Sequence, residues 1–487
     1  MILVLLLVCI SAYVAYFYWK VSKYPKGPFP IPIFGNLLQF PQEHFHRKID
    51  ELSKIYGPCF TVWMPLPIVV FADYEHIKDA FITQGETFNY RSQLPPETLL
   101  QPHEQVGILS SDGDNWRLQR RTSLKILREF GLGKGLMEEQ VKGSIEEMLE
   151  QLKNVENKND IDIFWPIQLC VGNVINETLF GYHFSYKNPE RFVEFVTIVS
   201  NHLRDSFNKI TLMLQCWPWI RYLPIIGDYA YYRIKRNIDK YQTFIEDEVN
   251  AQAKLFNDYD EPTNFVHAYM QQIKPGSGLD MKNLYASVLD FWLAGMETTS
   301  TSLRWHIAYM MKYPEIQQKV REEILSVVGT SRLPTMSDKP DLPYTQAVIH
   351  EVQRHSNMVP FLGSHKCVKD TFVCGKHIPA GTLTFPQIWS VLANDPIFDS
   401  PLQFNPSRYL LDDGKTTNKA VLDRSIAFSI GKRACVGEGL ARMELFLIFS
   451  ALIQKYEYVP LEPVDLTPQM GTVLTSKPYH VKLIENF

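Results

Sequence analysis

No Cys-x-x-Cys pair occurs in the chain. Its seven cysteines (Cys9, Cys59, Cys170, Cys216, Cys367, Cys374 and Cys435) are odd in number and widely scattered. That spacing argues against a zinc ribbon and against a disulfide framework, and it implies a reducing compartment. A phosphate loop is also missing. The nearest approach, Gly131-Leu-Gly133-Lys134-Gly135, lacks the Lys-Ser/Thr ending and reads as a turn. No flavin or nicotinamide fingerprint is present, so redox chemistry here would draw its electrons from a partner. The net charge is only −4, which gives no global attraction to nucleic acid. What is present is an aromatic-rich globular composition, 13% Phe, Trp and Tyr, with material for a large core.

Ile2 to Trp19 (ILVLLLVCISAYVAYFYW) carries no charge and is long enough to cross a bilayer as a helix. Tyr13, Tyr16, Tyr18 and Trp19 sit at its end as interface aromatics do, and Lys20, Lys23 and Lys26 follow. No charged side chain precedes the span, so the positive-inside rule leaves the rest of the chain in the cytosol. A cleaved signal peptide would need a basic start and a small-x-small site, and the segment has neither. Pro25, Pro28, Pro30 and Pro32 then stiffen an extended stretch. Residues 1–20 therefore read as an anchor, 21–36 as a proline-rich hinge and 37–487 as the catalytic body.

Within that body, 43–57 is helical by period, and Cys59 to Phe71 reads as two strands around a proline turn. Tyr90 to Val106 is a long loop, of a length that lids and binding loops often have and that a mobile surface loop fits equally. The periods of 137–185 and 232–256 are helical. Met213 to Ile226 is apolar and Trp-rich; it is either buried core or, beside an anchor, a second membrane contact. Asn176-Glu-Thr178 is a glycosylation sequon that a cytosolic location leaves unused.

The most informative stretch is Phe428-Ser-Ile-Gly431-Lys-Arg433-Ala-Cys435-Val-Gly437. Glycines around a cysteine allow a tight turn and the close approach of a bulky planar group. Backbone N–H groups and the start of a following apolar helix favour a thiolate. Arg433 offers a forked donor to a carboxylate, and Phe428 an apolar wall. A buried structural cysteine satisfies the same loop taken alone. Upstream, Trp116 and Arg120 lie four apart in a helix that Ser111 or Asp114 can cap, so indole and guanidinium converge on one face.

Leu279 to Lys312 is a long helix, apolar nearly all round, and therefore buried. It carries Ala294-Gly295-Met296-Glu297-Thr298-Thr299. Gly295 weakens the helix and opens a groove. Thr298 can bond the carbonyl of Ala294 and bend the helix, and Glu297 can relay protons. Further on, Glu351 and Arg354 share one helical face.

These runs resemble the signatures of the cytochrome P450 family: F-x-x-G-x-R-x-C-x-G, W-x-x-x-R, A-G-x-[DE]-T-T and E-x-x-R. The resemblance covers essentially the whole chain. It implies a mainly α fold, a helical haem domain with small β-sheets behind an N-terminal transmembrane helix. It implies haem b ligated by Cys435, with Phe428, Gly431 and Gly437 shaping the loop. Trp116, Arg120, His365 and Arg433 would take the propionates, although Ser364 stands where relatives often carry proline before that histidine. Thr298 and Glu297 are the implied catalytic pair. Glu351, Arg354 and Arg408 would form a structural cluster, with Tyr409 where the family usually has Phe. The implied pocket is lined by Ile108, Phe291 and Ala294, by Val359, Phe361 and Leu362, and by Val473 and Leu474. All are apolar, which points to a lipophilic substrate.

The implied activity is insertion of one atom of O2 into a xenobiotic, fatty acid or steroid-like molecule. The implied donor is NADPH–cytochrome P450 reductase, with cytochrome b5 as a second donor, and no nucleic acid partner. Arg117, Arg121, Lys134, Lys432 and Arg442 would form the docking face. The implied location is the endoplasmic reticulum membrane, with the catalytic domain on the cytosolic side. Two rivals share the cysteine loop: a haem-thiolate isomerase or dehydratase of fatty hydroperoxides, and a non-enzymatic haem-binding sensor. The first commonly lacks the acid–Thr pair, and the second has no need of it.

Overall fold

The apolar run at the centre of the chain forms the helix Met281–Lys312, and the rest of the molecule is packed around it. The computed structural model describes the whole chain except residues 42–43, 96, 100, 102, 131–134, 207, 362 and 471–472, and the side chains of 203, 204 and 206. Leu362, Lys134 and the glycine-rich turn at 131–134 thus lie outside the described residues. Asp280 starts the long helix by accepting the Asn283 N–H at 2.7 Å. Trp292, Trp305 and Tyr309 are fully buried on its flanks, and burial of such rings dominates the energetics of a helical core.

Gly295 departs from its expected role. A Cβ built there would lie 2.5 Å from Ile175 Cδ1 on the neighbouring helix Phe164–Phe180. The glycine serves close helix packing, and Ile175 fills the space expected as a groove. The helical period expected over 137–185 is broken as well. Two helices form, Gly135–Lys153 and Phe164–Phe180. Between them Ile161 exchanges two 3.0 Å backbone hydrogen bonds with Val481 near the C-terminus, a long-range pairing that no local pattern encodes. Arg233–Leu255 matches its expected helix, and a further one, Glu190–Ser206, has no counterpart in the sequence reading. Asn176 of the sequon is buried, its Nδ2 donating to Tyr182 O at 2.6 Å, so no glycan can attach there.

The main sheet has five strands in the order Cys59–Trp63, Pro67–Phe71, Leu383–Pro386, His365–Lys366 and Tyr90–Arg91, with one parallel pair, Pro67–Phe71 beside Leu383–Pro386. It brings Arg91 beside His365 in register. The hinge is not a free linker: Asn36 is fully buried, with its N–H donating to Trp63 O at 2.7 Å and its Oδ1 accepting the Trp63 N–H at 2.8 Å. The N-terminal helix Ile2–Val21 stands almost wholly exposed; near its end Phe17 packs on Trp63, ring centres 5.3 Å apart, and Tyr18 stacks on Phe29 at 5.0 Å.

Candidate active site

Cys435 sits on a loop shaped by two residues in the left-handed region, Ser429 and Gly431. At Gly431 (φ 85°) a Cβ would meet the carbonyl oxygen of Phe81 at 2.1 Å, so only glycine fits. The Cys435 N–H donates to Phe428 O at 3.0 Å, which closes the loop. Phe428 packs its ring under the Arg442 guanidinium, 4.8 Å from the ring centre. The helix Glu438–Lys455 starts at the cap residue Gly437. Burial raises the thiol pKa, opposed by the Gly437 N–H, Arg120 and Arg442, with Glu438 adding to the rise. Yet Cys435 is exposed. A group that is deep in the molecule and still accessible lies at the floor of a cleft.

The long helix packs on the helix that follows the cysteine, with Thr299 bonded to the buried Glu444. Ala294 is exposed in the middle of a helix whose neighbouring residues are buried or half-buried, and Thr298 Oγ1 donates to Ala294 O at 2.7 Å as expected. Phe291 shares that helical face at i, i+3 and i+7 with Ala294 and Thr298 and packs edge-on against Phe265. Burial raises the Glu297 pKa, opposed by Arg304 and Thr301, and its Oε2 has no partner among the described residues.

Asp290, one turn before Ala294, pins the 90–109 loop to this helix. It accepts the N–H groups of Ile108 at 2.7 Å and Leu109 at 2.9 Å and a third bond from Gln101 Nε2. Burial pushes its pKa up to about 7. On the opposite wall, Leu474 N donates to Met358 O at 2.7 Å and Leu474 O accepts from Trp305 Nε1 at 2.8 Å. This draws the turn carrying Val473 against the segment that runs through Val359. Phe361 packs on Phe45, ring centres 5.1 Å apart and planes tilted by 58°.

The cysteine loop and the 90–109 loop meet in a cluster of cations. Arg433 donates through Nε to Asn89 O (2.7 Å), through Nη1 to Ile108 O (3.2 Å) and through Nη2 to Ser111 O (2.7 Å), and it lies over the Trp116 ring at 3.9 Å. Arg120 Nη2 donates to Ala434 O at 2.8 Å. Arg91, which the sequence reading missed, donates through Nε to Leu109 O and through Nη1 to Gly363 O and Ser364 O. Desolvation, Arg91 and Arg120 together push Arg433 down to about 8, against the pull of Asp112. His365 Nδ1 donates to Phe88 O at 2.8 Å, and burial beside Arg91 and Arg433 keeps the ring neutral.

Among the described residues none of the three arginines forms a salt bridge, and the buried Trp116 Nε1 has no acceptor. Like charges held together with a spare indole donor call for anionic groups. Two carboxylates beside a cysteine sulfur satisfy that demand, so the site fits haem. The helix cap departs from expectation: Asp112, and neither Ser111 nor Asp114, occupies the cap position. Its carboxylate instead accepts from Arg91 N at 3.5 Å and Gln93 Nε2 at 3.4 Å.

Behind this floor, Glu351 is fully buried and accepts from Arg354 Nε (2.7 Å) and Nη2 (2.8 Å), from Arg408 Nε (3.2 Å) and from the Asn405 N–H (2.9 Å). Both guanidiniums also donate to carbonyls, including those of Leu392, Pro401 and Gln403. The Tyr409 hydroxyl reaches Ser425 Oγ at 2.6 Å, which links this cluster to the segment entering the cysteine loop.

Comparison with known proteins bears on the whole chain. The sequence model described as "Cytochrome P450" matches residues 25–483. Cytochrome P450 2G1 of Rattus norvegicus is 35% identical, the match covering 93% of this chain and 92% of that protein. Cytochrome P450 2H2 of Gallus gallus is 35% identical, covering 99% and 98%. Cytochrome P450 2C8 of Homo sapiens is 35% identical, covering 97% and 96%. With a cysteine-floored cleft, a cationic rim and full-length similarity in place, this chain belongs to the cytochrome P450 family of monooxygenases.

Proposed function

We propose that this chain is a membrane-anchored haem-thiolate monooxygenase. It inserts one atom of O2 into lipophilic small molecules, with electrons from NADPH passed on by cytochrome P450 reductase. The observation that carries this reading is the accessible Cys435 beside three arginines that form no salt bridge among the described residues, with Ala294 exposed and Thr298 half-buried on the long helix. Cys435 would supply the sulfur ligand, and Arg91, Arg120, Arg433, Trp116 and His365 would take the propionates. Haem so held supplies oxygen activation, favoured by an electron-donating thiolate. Thr298 presents its hydroxyl oxygen to the cleft while its proton is held on Ala294 O. Glu297, its pKa raised by burial, holds a proton close by. The apolar walls exclude water and orient a lipophilic substrate.

The anchor at residues 1–20 and the hinge at 21–36 place the body 37–487 on the endoplasmic reticulum membrane, facing the cytosol. Trp219 is 58% exposed, Tyr222 67% and Ile225 86%. These side chains form a second lipid contact through which substrate enters. The reductase docks on the cysteine side. There Arg121 is exposed and forms no salt bridge among the described residues, whereas Arg117 and Lys432 share Glu86, and Arg442 is held by Glu438 at 2.8 Å. Reconstitution in lipid vesicles with reductase tests the reading. NADPH-dependent product carrying one labelled oxygen from labelled O2 is expected. Turnover of fatty hydroperoxides without NADPH or reductase would instead favour an isomerase.

A further inference from the structure

Glu97 is a buried acid that the catalytic reading leaves unused. It begins the short turn Glu97–Leu99 on the loop between the sheet and the helix Gly113–Glu129. One carboxylate oxygen, Oε1, accepts from Ser364 Oγ, and the other, Oε2, is buried with no partner among the described residues. Ser364 is itself buried, and its carbonyl accepts from Arg91 Nη1 at 3.3 Å. The serine is thus gripped from both sides, by Glu97 through its hydroxyl and by Arg91 through its backbone. The next residue is His365. Burial raises the Glu97 pKa and lowers that of Arg91, and across this joint the opposite charge of each partly offsets the shift of the other. Arg91 Nη2 has no acceptor among the described residues. A buried acid is costly unless something offsets it, and among the described residues Arg91 is the cation that acts on Glu97.

We propose that Glu97 is a positioning residue for the cofactor: through Ser364 and Arg91 it fixes the cationic rim that takes the haem propionates, and it sets a negative charge behind that rim. The inference rests on the haem-thiolate reading above. A carboxylate near the haem disfavours the reduced form, so removing its charge makes reduction easier. Loosening the Ser364 joint frees Arg91 and His365 together. Supporting groups of this kind change cofactor affinity by about 10-fold or more when removed.

The test uses the full chain in detergent, loaded with haem. Three variants are compared with the wild type: Glu97→Gln, which keeps an acceptor and removes the charge; Glu97→Asp, which keeps the charge; and Ser364→Ala, which removes the joint. Midpoint potential and the rate of haem transfer to excess apomyoglobin are measured. Glu97→Gln is expected to shift the potential positive while Glu97→Asp stays near wild type. Ser364→Ala is expected to release haem about 10-fold faster. Wild-type values for both quantities in Glu97→Gln and Ser364→Ala would overturn the proposal. So would a Glu97→Gln variant altered only in substrate-induced spectral shifts, which would assign the acid to the substrate. If Ser364→Ala fails to fold, the potential of Glu97→Gln decides alone. A wild type without a thiolate-type carbon monoxide spectrum would sink the haem-thiolate reading itself, a result read before any variant.

Discussion

Replacing Glu351 with alanine removes the common acceptor of two buried guanidiniums. Arg354 loses bonds of 2.7 and 2.8 Å and Arg408 one of 3.2 Å, while the Asn405 N–H loses its acceptor. Arg354 keeps the Leu392 and Pro401 carbonyls, and Arg408 keeps that of Gln403, so neither is stripped of partners. What remains uncompensated is the charge. Breaking a buried pair on one side costs about 3–5 kcal/mol, or about a thousandfold in the folded-to-unfolded ratio. Because Tyr409 joins this cluster to Ser425 ahead of the cysteine loop, haem content should fall along with stability. The assay is urea denaturation followed by tryptophan fluorescence, with haem content measured in parallel. Glu351→Ala with Arg354→Ala should cost less than the sum of the single changes by about 1–3 kcal/mol, since the second change removes a stranded charge. A Glu351→Ala penalty under about 1 kcal/mol, the range of an exposed pair, would refute the structural role given to this cluster.

Gly431→Ala places a Cβ 2.1 Å from Phe81 O at a positive φ, so the purified protein should carry little or no haem by its absorbance ratio. Thr298→Ala should keep haem but divert electrons, giving less product and more peroxide per NADPH consumed; an unchanged product-to-NADPH ratio would remove Thr298 from the mechanism. His306 is fully buried, its Nδ1 bonded to Ser302 O, and burial pushes its pKa down to about 4. Between that value and the unfolded pKa of about 6.5, the unfolded chain binds the extra proton, so stability falls as pH falls, by up to about 1.4 kcal/mol per unit. Denaturant midpoints measured across this range should show that slope in the wild type and a weaker one in His306→Gln.

The parts of this site that were legible in the sequence are those encoded by local spacing. Gly431 and Cys435 share one loop, Thr298 and Ala294 stand one turn apart, and Glu351 and Arg354 stand on one helical face. The parts that were not legible depend on long-range pairing. Arg91 carries no periodic signal and joins the cationic rim only because its strand lies beside His365. Asp290 reads as one more polar residue on a helix until the 90–109 loop folds back on it. Gly295 reads as a weak point because sequence reveals that a side chain is missing but not that Ile175 takes its place. The break at residues 154–163 follows from pairing with Val481, more than three hundred positions away.

The most direct test of the account is the carbon monoxide difference spectrum of the reduced, detergent-solubilised protein. A strongly red-shifted Soret band is predicted, the mark of haem with Cys435 thiolate opposite the gas. A band at the position typical of histidine-ligated haem, or no haem signal at all, would contradict the assignment of Cys435 and with it the oxygen chemistry assigned to the cleft.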